Sequence, residues 1–197
     1  ADEKLKVFHM YDDQLSLAKI LLNRANIFFR LSRFQEALEN FEEAHLLFSR
    51  QNAQTYAAIA QMNQANVQMT LDDFLGAEQN YREARLVFES KEMTRFLALT
   101  DHNLAELLLY QGSYQQALQL FDKARQIYLT QDNSVDIAYA DLYRSEVYLA
   151  LNLWEEALEL TTTARKPFEE ADMAWETGRL WLNEAVALAH LKDGRSP

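Results

Sequence analysis

The chain has no cysteine, and only 2 prolines and 4 glycines, in 197 residues. Without cysteine there is no disulfide, no thiolate zinc site and no cysteine nucleophile. So little glycine and proline leaves few tight turns, of which sheet folds need many, so composition alone favours helix. Long apolar runs are missing too. No window approaches the roughly 20 apolar residues of a membrane span, and the amino-terminal ADEKLKVFHMYDDQ has no apolar stretch behind a basic one. Positive charge is scarce. With 19 basic residues against 30 acidic ones, the net charge of -11 sets up a field that repels phosphate backbones. The longest basic cluster is Arg165-Lys166, and no stripe of aromatics and arginines that would stack bases is present. Neither nucleic acid nor a membrane is an expected partner, and the expected location is cytoplasmic.

What the chain does have is apolar surface, 49% hydrophobic residues with 12% aromatics, enough to bury a core. It also repeats itself every 40 residues. Ala37, Ala77, Ala117 and Ala157 occupy one point of the period, with Phe34, Phe74, Tyr114 and Trp154 three before and Ala44, Ala84, Ala124 and Ala164 seven after. Upstream the same rhythm places Ala25, Ala65, Ala105, Ser145 and Ala185, and downstream Phe48, Phe88, Tyr128 and Phe168. A fixed period of this length means a stacked array in which each unit buries its apolar face on its neighbours.

Within a unit the apolar residues recur at three- and four-residue steps, as in Leu38, Phe41, Leu47 and Phe48, so each unit reads as two antiparallel helices. One break falls at Ser32-Arg33, Asp72-Asp73, Gly112-Ser113 and Asn152-Leu153, where Ser32 with Gln35 and Asn152 with Glu155 have capping-box spacing. A second falls at Asp12, Asn52, Glu92, Asp132 and Asp172, mostly side chains suited to cap the helix that follows. This predicts helices of about 16 to 18 residues, roughly 25 Å long. The expected organisation is a single array: a half unit at 3–11 marked by Val7-Phe8, full units at 14–51, 53–91, 93–131 and 133–171, and a half unit at 173–192. That makes about nine helices in an all-α chain. Because both ends stop mid-unit, the expectation is a fragment of a longer array in a longer protein, or a domain whose ends are capped by something else.

Small residues where helices must approach closely, with aromatics beside them, make the chain resemble the tetratricopeptide repeat family in four consecutive units, with Trp181 and Ala185 extending the match. The resemblance implies a right-handed superhelical solenoid of antiparallel helix pairs. Two features depart from the family: its unit is about 34 residues, and proline usually closes it, where this chain has Ser49, Glu89, Leu129 and Glu169. Longer units of this kind resemble arrays in large bacterial regulators and in proteins with caspase-like protease domains. HEAT-type repeats share the longer period and are the structural alternative. The fourth unit is irregular, since Thr161 replaces an aromatic and Pro167 stands inside the second helix, where a kink or an early end is expected.

In this family the first helices line the concave surface, which makes their uncommitted residues candidates for partner contact. By register these are Asn23, Asn63, Asn103 and Asn183, with Tyr143 interrupting, and Asn26, Asn66, Glu106 and Glu146 three residues on. Residues three apart on a helix share a face, so the two rows form one polar track. An amide offers both donor and acceptor, which suits the backbone of an extended peptide. The same amides equally suit register-fixing bonds between helices. Flanking residues Leu22, Met62, His102, Leu142 and Leu182, then Phe29, Met69, Leu109 and Leu149, read as helix packing. The family's clamp for acidic peptide carboxylates is rejected: Asn26 and Asn63 match its asparagines, but its cationic places hold Leu22, Leu99 and Asn103, leaving a carboxylate unpaired.

Catalytic and cofactor sites are not expected. His9, His45, His102 and His190 lie in separate units without an i, i+4 partner, Gly76, Gly112, Gly178 and Gly194 are isolated, and no serine sits in a nucleophile elbow. The favoured reading is a scaffold that holds a partner peptide or protein segment. The alternative is a regulatory or sensor region of a larger enzyme or transcription activator. Self-association through the terminal helix is a further expectation, with Leu180, Trp181, Leu188 and Leu191 partly exposed.

Overall fold

The computed structural model describes residues 13–192. Among them run nine helices: α1 Gln14–Arg30, α2 Phe34–Arg50, α3 Gln54–Thr70, α4 Phe74–Ser90, α5 Thr94–Tyr110, α6 Tyr114–Thr130, α7 Ser134–Ala150, α8 Trp154–Glu170 and α9 Ala174–Lys192. The described residues contain no strand. The first eight helices have 17 residues each and the ninth has 19. The half unit expected at 3–11, His9, the break at Asp12 and Gly194 lie outside the described residues.

Three residues join each helix to the next, and all eight links are built alike. The middle residue has a positive φ, from 52° at Asp132 to 62° at Asn152, and 75° at Gly112. Its amide bonds back to the last turn, as Ser32 N to the Phe29 carbonyl at 2.9 Å, and the amide after it reaches one residue further, Arg33 N to the Phe28 carbonyl at 2.9 Å. The same pair recurs down to Asp172 and Met173. It satisfies carbonyls that the end of a helix leaves without partners, and it reverses the chain within one turn.

This arrangement corrects the expected caps. Asn52, Asp132 and Asp172, read as opening the next helix, close the previous one in the left-handed conformation, as does Glu92. Ser32 and Asn152 hold that same position, so neither opens a capping box, and Arg33 and Leu153 at the head of the following helices make no side-chain cap. Side-chain caps occur one residue later in the rhythm, at Asp13, Asp73 and Asn133, which accept from the amides of Ser16, Gly76 and Asp136. The reason is chemical: asparagine and aspartate serve both roles, since their short polar side chains tolerate positive φ where glycine is lacking.

Of the two outcomes expected at Pro167, a kink or an early end, the early end is corrected: α8 does not stop there. It runs to Glu170 with the same 17 residues as its neighbours. Phe168, fully buried against Ala138, Leu142 and Leu180, holds the last turn in place.

The helices group into two compact units, one ending at Thr100 and the other beginning at Asp101, so the division falls within α5. In the first unit Leu17, Leu21 and Ala25 of α1 meet Ala37, Phe41, Ala44 and Phe48 of α2, with Ala60 and Val67 of α3. In the second, Ala138 and Leu142 of α7 meet Ala164 and Phe168 of α8 and Leu180 of α9, and Trp154 and Ala157 meet Ala187. Ala25, Ala37, Ala44, Ala65, Ala77, Ala84, Ala105, Ala117, Ala124 and Ala157 are all fully buried, which lets helix backbones approach closely. Consecutive helices within a unit pair antiparallel, the consequence of links too short for any other course. Leu180, expected to be partly exposed, is fully buried, because it packs inward on α7 and α8. On α9 the exposed large apolar residues are Trp175, Trp181 and Leu182.

The links predict opposite effects for two substitutions. Gly112→Ala forces a β-carbon into positive φ with nothing around it to clash, so it is expected to lower the unfolding free energy in urea by about 1 kcal/mol, from backbone strain alone. Glu92→Gly relieves the same strain and is expected to raise it by about 0.5 kcal/mol.

Candidate partner-binding site

In the first unit the polar track forms one wall of a groove. Asn23, Asn26, Ile27, Phe29 and Arg30 of α1 and Asn66 of α3 line an open hollow of about 680 Å3. Asn23, Ile27 and Arg30 are exposed there, whereas Asn26 and Asn66 are half-buried. Asn63 donates its amide to Asn26 Oδ1 at 3.3 Å, a bond from α3 to α1 that fixes the register of the two helices. Tyr81 of α4 donates its hydroxyl to Asn66 Oδ1 at 2.6 Å. Each bond uses one face of an amide with several hydrogen-bonding positions, so the side chain can serve structure and ligand together. Arg30 brings a guanidinium to the rim, a cation that the sequence reading did not single out. The signal was available: 23, 26, 27 and 30 follow the three- and four-residue steps of one helix face.

The second unit carries a different chemistry at the same register. Glu106 of α5 accepts from the hydroxyls of Tyr143 at 2.9 Å and Tyr110 at 3.2 Å. Arg179 of α9 pairs with Glu146 of α7 at 2.7 Å, and its guanidinium lies over the Tyr143 ring at 4.6 Å. Burial pushes the Glu106 carboxyl above its ordinary range, against the opposing pull of the two tyrosine donors. Glu106, Tyr143 and Glu146 are thus brought together, with Arg179 and Tyr110 as members that the sequence reading missed. The signal for Arg179 was weak, because α1, α3, α5 and α7 hold Lys19, Ile59, Leu99 and Tyr139 at its place in the period.

Asn103 is half-buried on α5. Asn183 leaves the candidate set. It is buried and donates to Ser145 Oγ at 2.9 Å, tying α9 to α7 as a packing residue. Leu22, at one cationic place of the rejected clamp, is buried in the core. Among the described residues no group of histidines, aspartates and glutamates is placed to hold a metal ion, and no helix is long and apolar enough to cross a membrane.

Residues 96–169 match the family model for the tetratricopeptide repeat. Over that stretch the chain is similar to tetratricopeptide repeat proteins. Solved structures with the same arrangement include BtubC (BKLC) from P. vanneervenii, 21% identical with a TM-score of 0.72 over 79% of this chain and 65% of that one. Aspartyl phosphate phosphatase F from Bacillus subtilis is 11% identical, with a TM-score of 0.80 over 92% of this chain and 48% of that one. The signal transduction ATPase with a tetratricopeptide repeat sensor from Pyrococcus horikoshii is 14% identical, with a TM-score of 0.80 over 93% and 28%. At such identities the likeness is one of fold. This chain spans less than two thirds of each of these proteins. No curated protein matches it. The family match, with alanines buried at the close approaches, sets the HEAT alternative aside.

One position of the forty-residue period departs in kind from its equivalents. Where α1, α3, α7 and α9 hold Leu22, Met62, Leu142 and Leu182, α5 holds His102, buried among Phe121, Tyr139 and Tyr143. Among the described residues its Nδ1 finds no hydrogen-bond partner. Burial alone lowers its pKa from 6.5 to about 4, because removing the ring from solvent disfavours its charged form. The folded state therefore takes up a proton less readily than the unfolded chain, so stability is complete above pH 6.5 and is lost as pH falls toward 4. At about 1.4 kcal/mol per pH unit this effect amounts to about 3 kcal/mol. His102→Leu is expected to flatten that part of the stability curve, as followed by urea unfolding at pH 4.5 to 7.

Proposed function

We propose that this chain is an interaction module that holds an extended segment of a partner protein against its first helices, with the α1 and α3 groove as the principal contact. The observation that carries the reading is the convergence of Asn23, Asn26 and Asn66 on one hollow with Ile27 and Phe29 beside them. Amides at this spacing offer donors and acceptors to a peptide backbone whatever its side chains, and the two apolar residues cover one side of it. Arg30 favours a segment that carries an acidic residue or a carboxyl terminus, an attraction consistent with a guanidinium at an open rim. In the second unit, Glu106 and Glu146 favour a basic side chain instead. The structural likeness to a tetratricopeptide repeat sensor and to a phosphatase supports a role in recognition or sensing. We further propose that the chain performs it as a region of a larger protein in the cytoplasm.

Selection from a random peptide library displayed on phage, against the purified chain, tests the reading. The expected result is a set of peptides whose affinity drops about tenfold, the loss of one hydrogen bond to a partner of this kind, on Asn23→Ala or Asn26→Ala. Arg30→Ala is expected to weaken acidic peptides more than neutral ones. Recovery of no binders, or of binders indifferent to all three changes, would refute the groove as the contact.

A further inference from the structure

A second hollow of the first unit lies away from the asparagine groove, between α2 and α4, with α3 as its floor. It measures about 510 Å3, within the roughly 300 to 1,000 Å3 of sites that take small groups. Three departures from the period coincide there. Position 57 is alanine where α1, α5 and α7 carry Leu17, Leu97 and Ile137; position 45 is histidine where α4, α6 and α8 carry Arg85, Arg125 and Arg165; position 61 is glutamine where α5 and α7 carry Asp101 and Asp141. In the second unit the equivalent space is bridged, since Arg125 crosses from α6 to Asp141 of α7 with Nε 2.8 Å from Oδ1. In the first unit His45 and Gln61 do not meet in such a pair. His45 turns to the Ala57 carbonyl at 3.1 Å, and Gln61 turns the other way, to Asn80 at 3.2 Å and to Glu83.

We propose that this hollow takes a leucine-type side chain from a partner polypeptide, replacing the aliphatic group that position 57 lacks. The floor of Ala57 and Ala58 is buried and apolar, and Leu86 on the α4 wall is 64% exposed, an aliphatic surface open to cover. Among the described residues no carboxylate, ammonium or guanidinium lines the hollow, so a charged group would enter without a counter-ion. The rim consists of the Ser49 and Ser90 hydroxyls and the Asn52 and Gln54 amides, which match the peptide groups on either side of an inserted side chain. His45 must donate from Nδ1 to reach a carbonyl, so when neutral it keeps Nε2 as an acceptor. The site is independent of the asparagine groove.

Titration with N-acetyl-leucinamide, read from the methyl NMR signals of Ala57, Ala58, Leu86 and Val87, tests the proposal. The expected result is saturable shifts for the unaltered chain, with affinity at least tenfold weaker for N-acetyl-glycinamide and for the Ala57→Leu variant. That variant is expected to fold with a thermal midpoint no lower than the parent, because Leu17 and Leu97 hold the same place. Should it fail to fold, His45→Arg with Gln61→Asp, which rebuilds the bridge of the second unit, is expected to abolish the shifts instead. Absence of saturable shifts, equal binding of the glycine compound, or binding undiminished in the filled variant would overturn the proposal. Equal binding of 3-methylbutanol would overturn its peptide part and mark a small-molecule site.

Discussion

Eight short links, each closed by the same two backbone hydrogen bonds, govern everything else in this structure. A link of three residues gives the chain no freedom to choose where the next helix goes, so that helix returns alongside the one just ended. The cost falls on the middle residue, held at positive φ in a chain that has glycine at only one such place. Asparagine and aspartate accept the conformation at five of the remaining seven links. With direction fixed, the helices must bury their faces on one another, and the fully buried alanines let them do so at close range. The turn and the alanine thus work together: one sets direction and the other sets distance.

That uniform scaffold leaves the surface chemistry to vary from unit to unit. In the first unit the track is neutral amide with an arginine at its rim; in the second it is carboxylate held by tyrosine hydroxyls and paired with Arg179. The same latitude reaches the other side of the first unit, where His45, Ala57 and Gln61 leave open what Arg125, Ile137 and Asp141 fill in the second. Departures from the period are therefore the most informative positions in a sequence of this kind. His102 is a departure that faces inward, a titratable group where the equivalents are aliphatic or thioether.

Much of the fold was legible in advance, because buried alanines and aromatics must recur at the spacing with which the helices stack. The end of a helix was less so. Asn52, Asp132 and Asp172 are residues that suit the start of a helix and the left-handed residue after one, and the sequence offers no way to tell these apart. Pro167 shows another limit, since the packing of Phe168 carries α8 past a residue that would break an isolated helix. Of the candidate site, the asparagines could be placed by register. Their partners could not, because the Tyr81 bond to Asn66 and the Arg179 bond to Glu146 join residues brought together only by helix packing.

By itself the sequence determined the helical class, the forty-residue rhythm, the small residues at the helix contacts and the surplus of negative charge, since each is a property of spacing or composition. Only the tertiary structure decided which amides stay in the groove and which are consumed in the core. Asn23 and Asn183 occupy the same point of the period, yet one is exposed and the other is sealed against Ser145. The physical reason is that burial belongs to the neighbours of a residue, and those are set by the packing of whole helices.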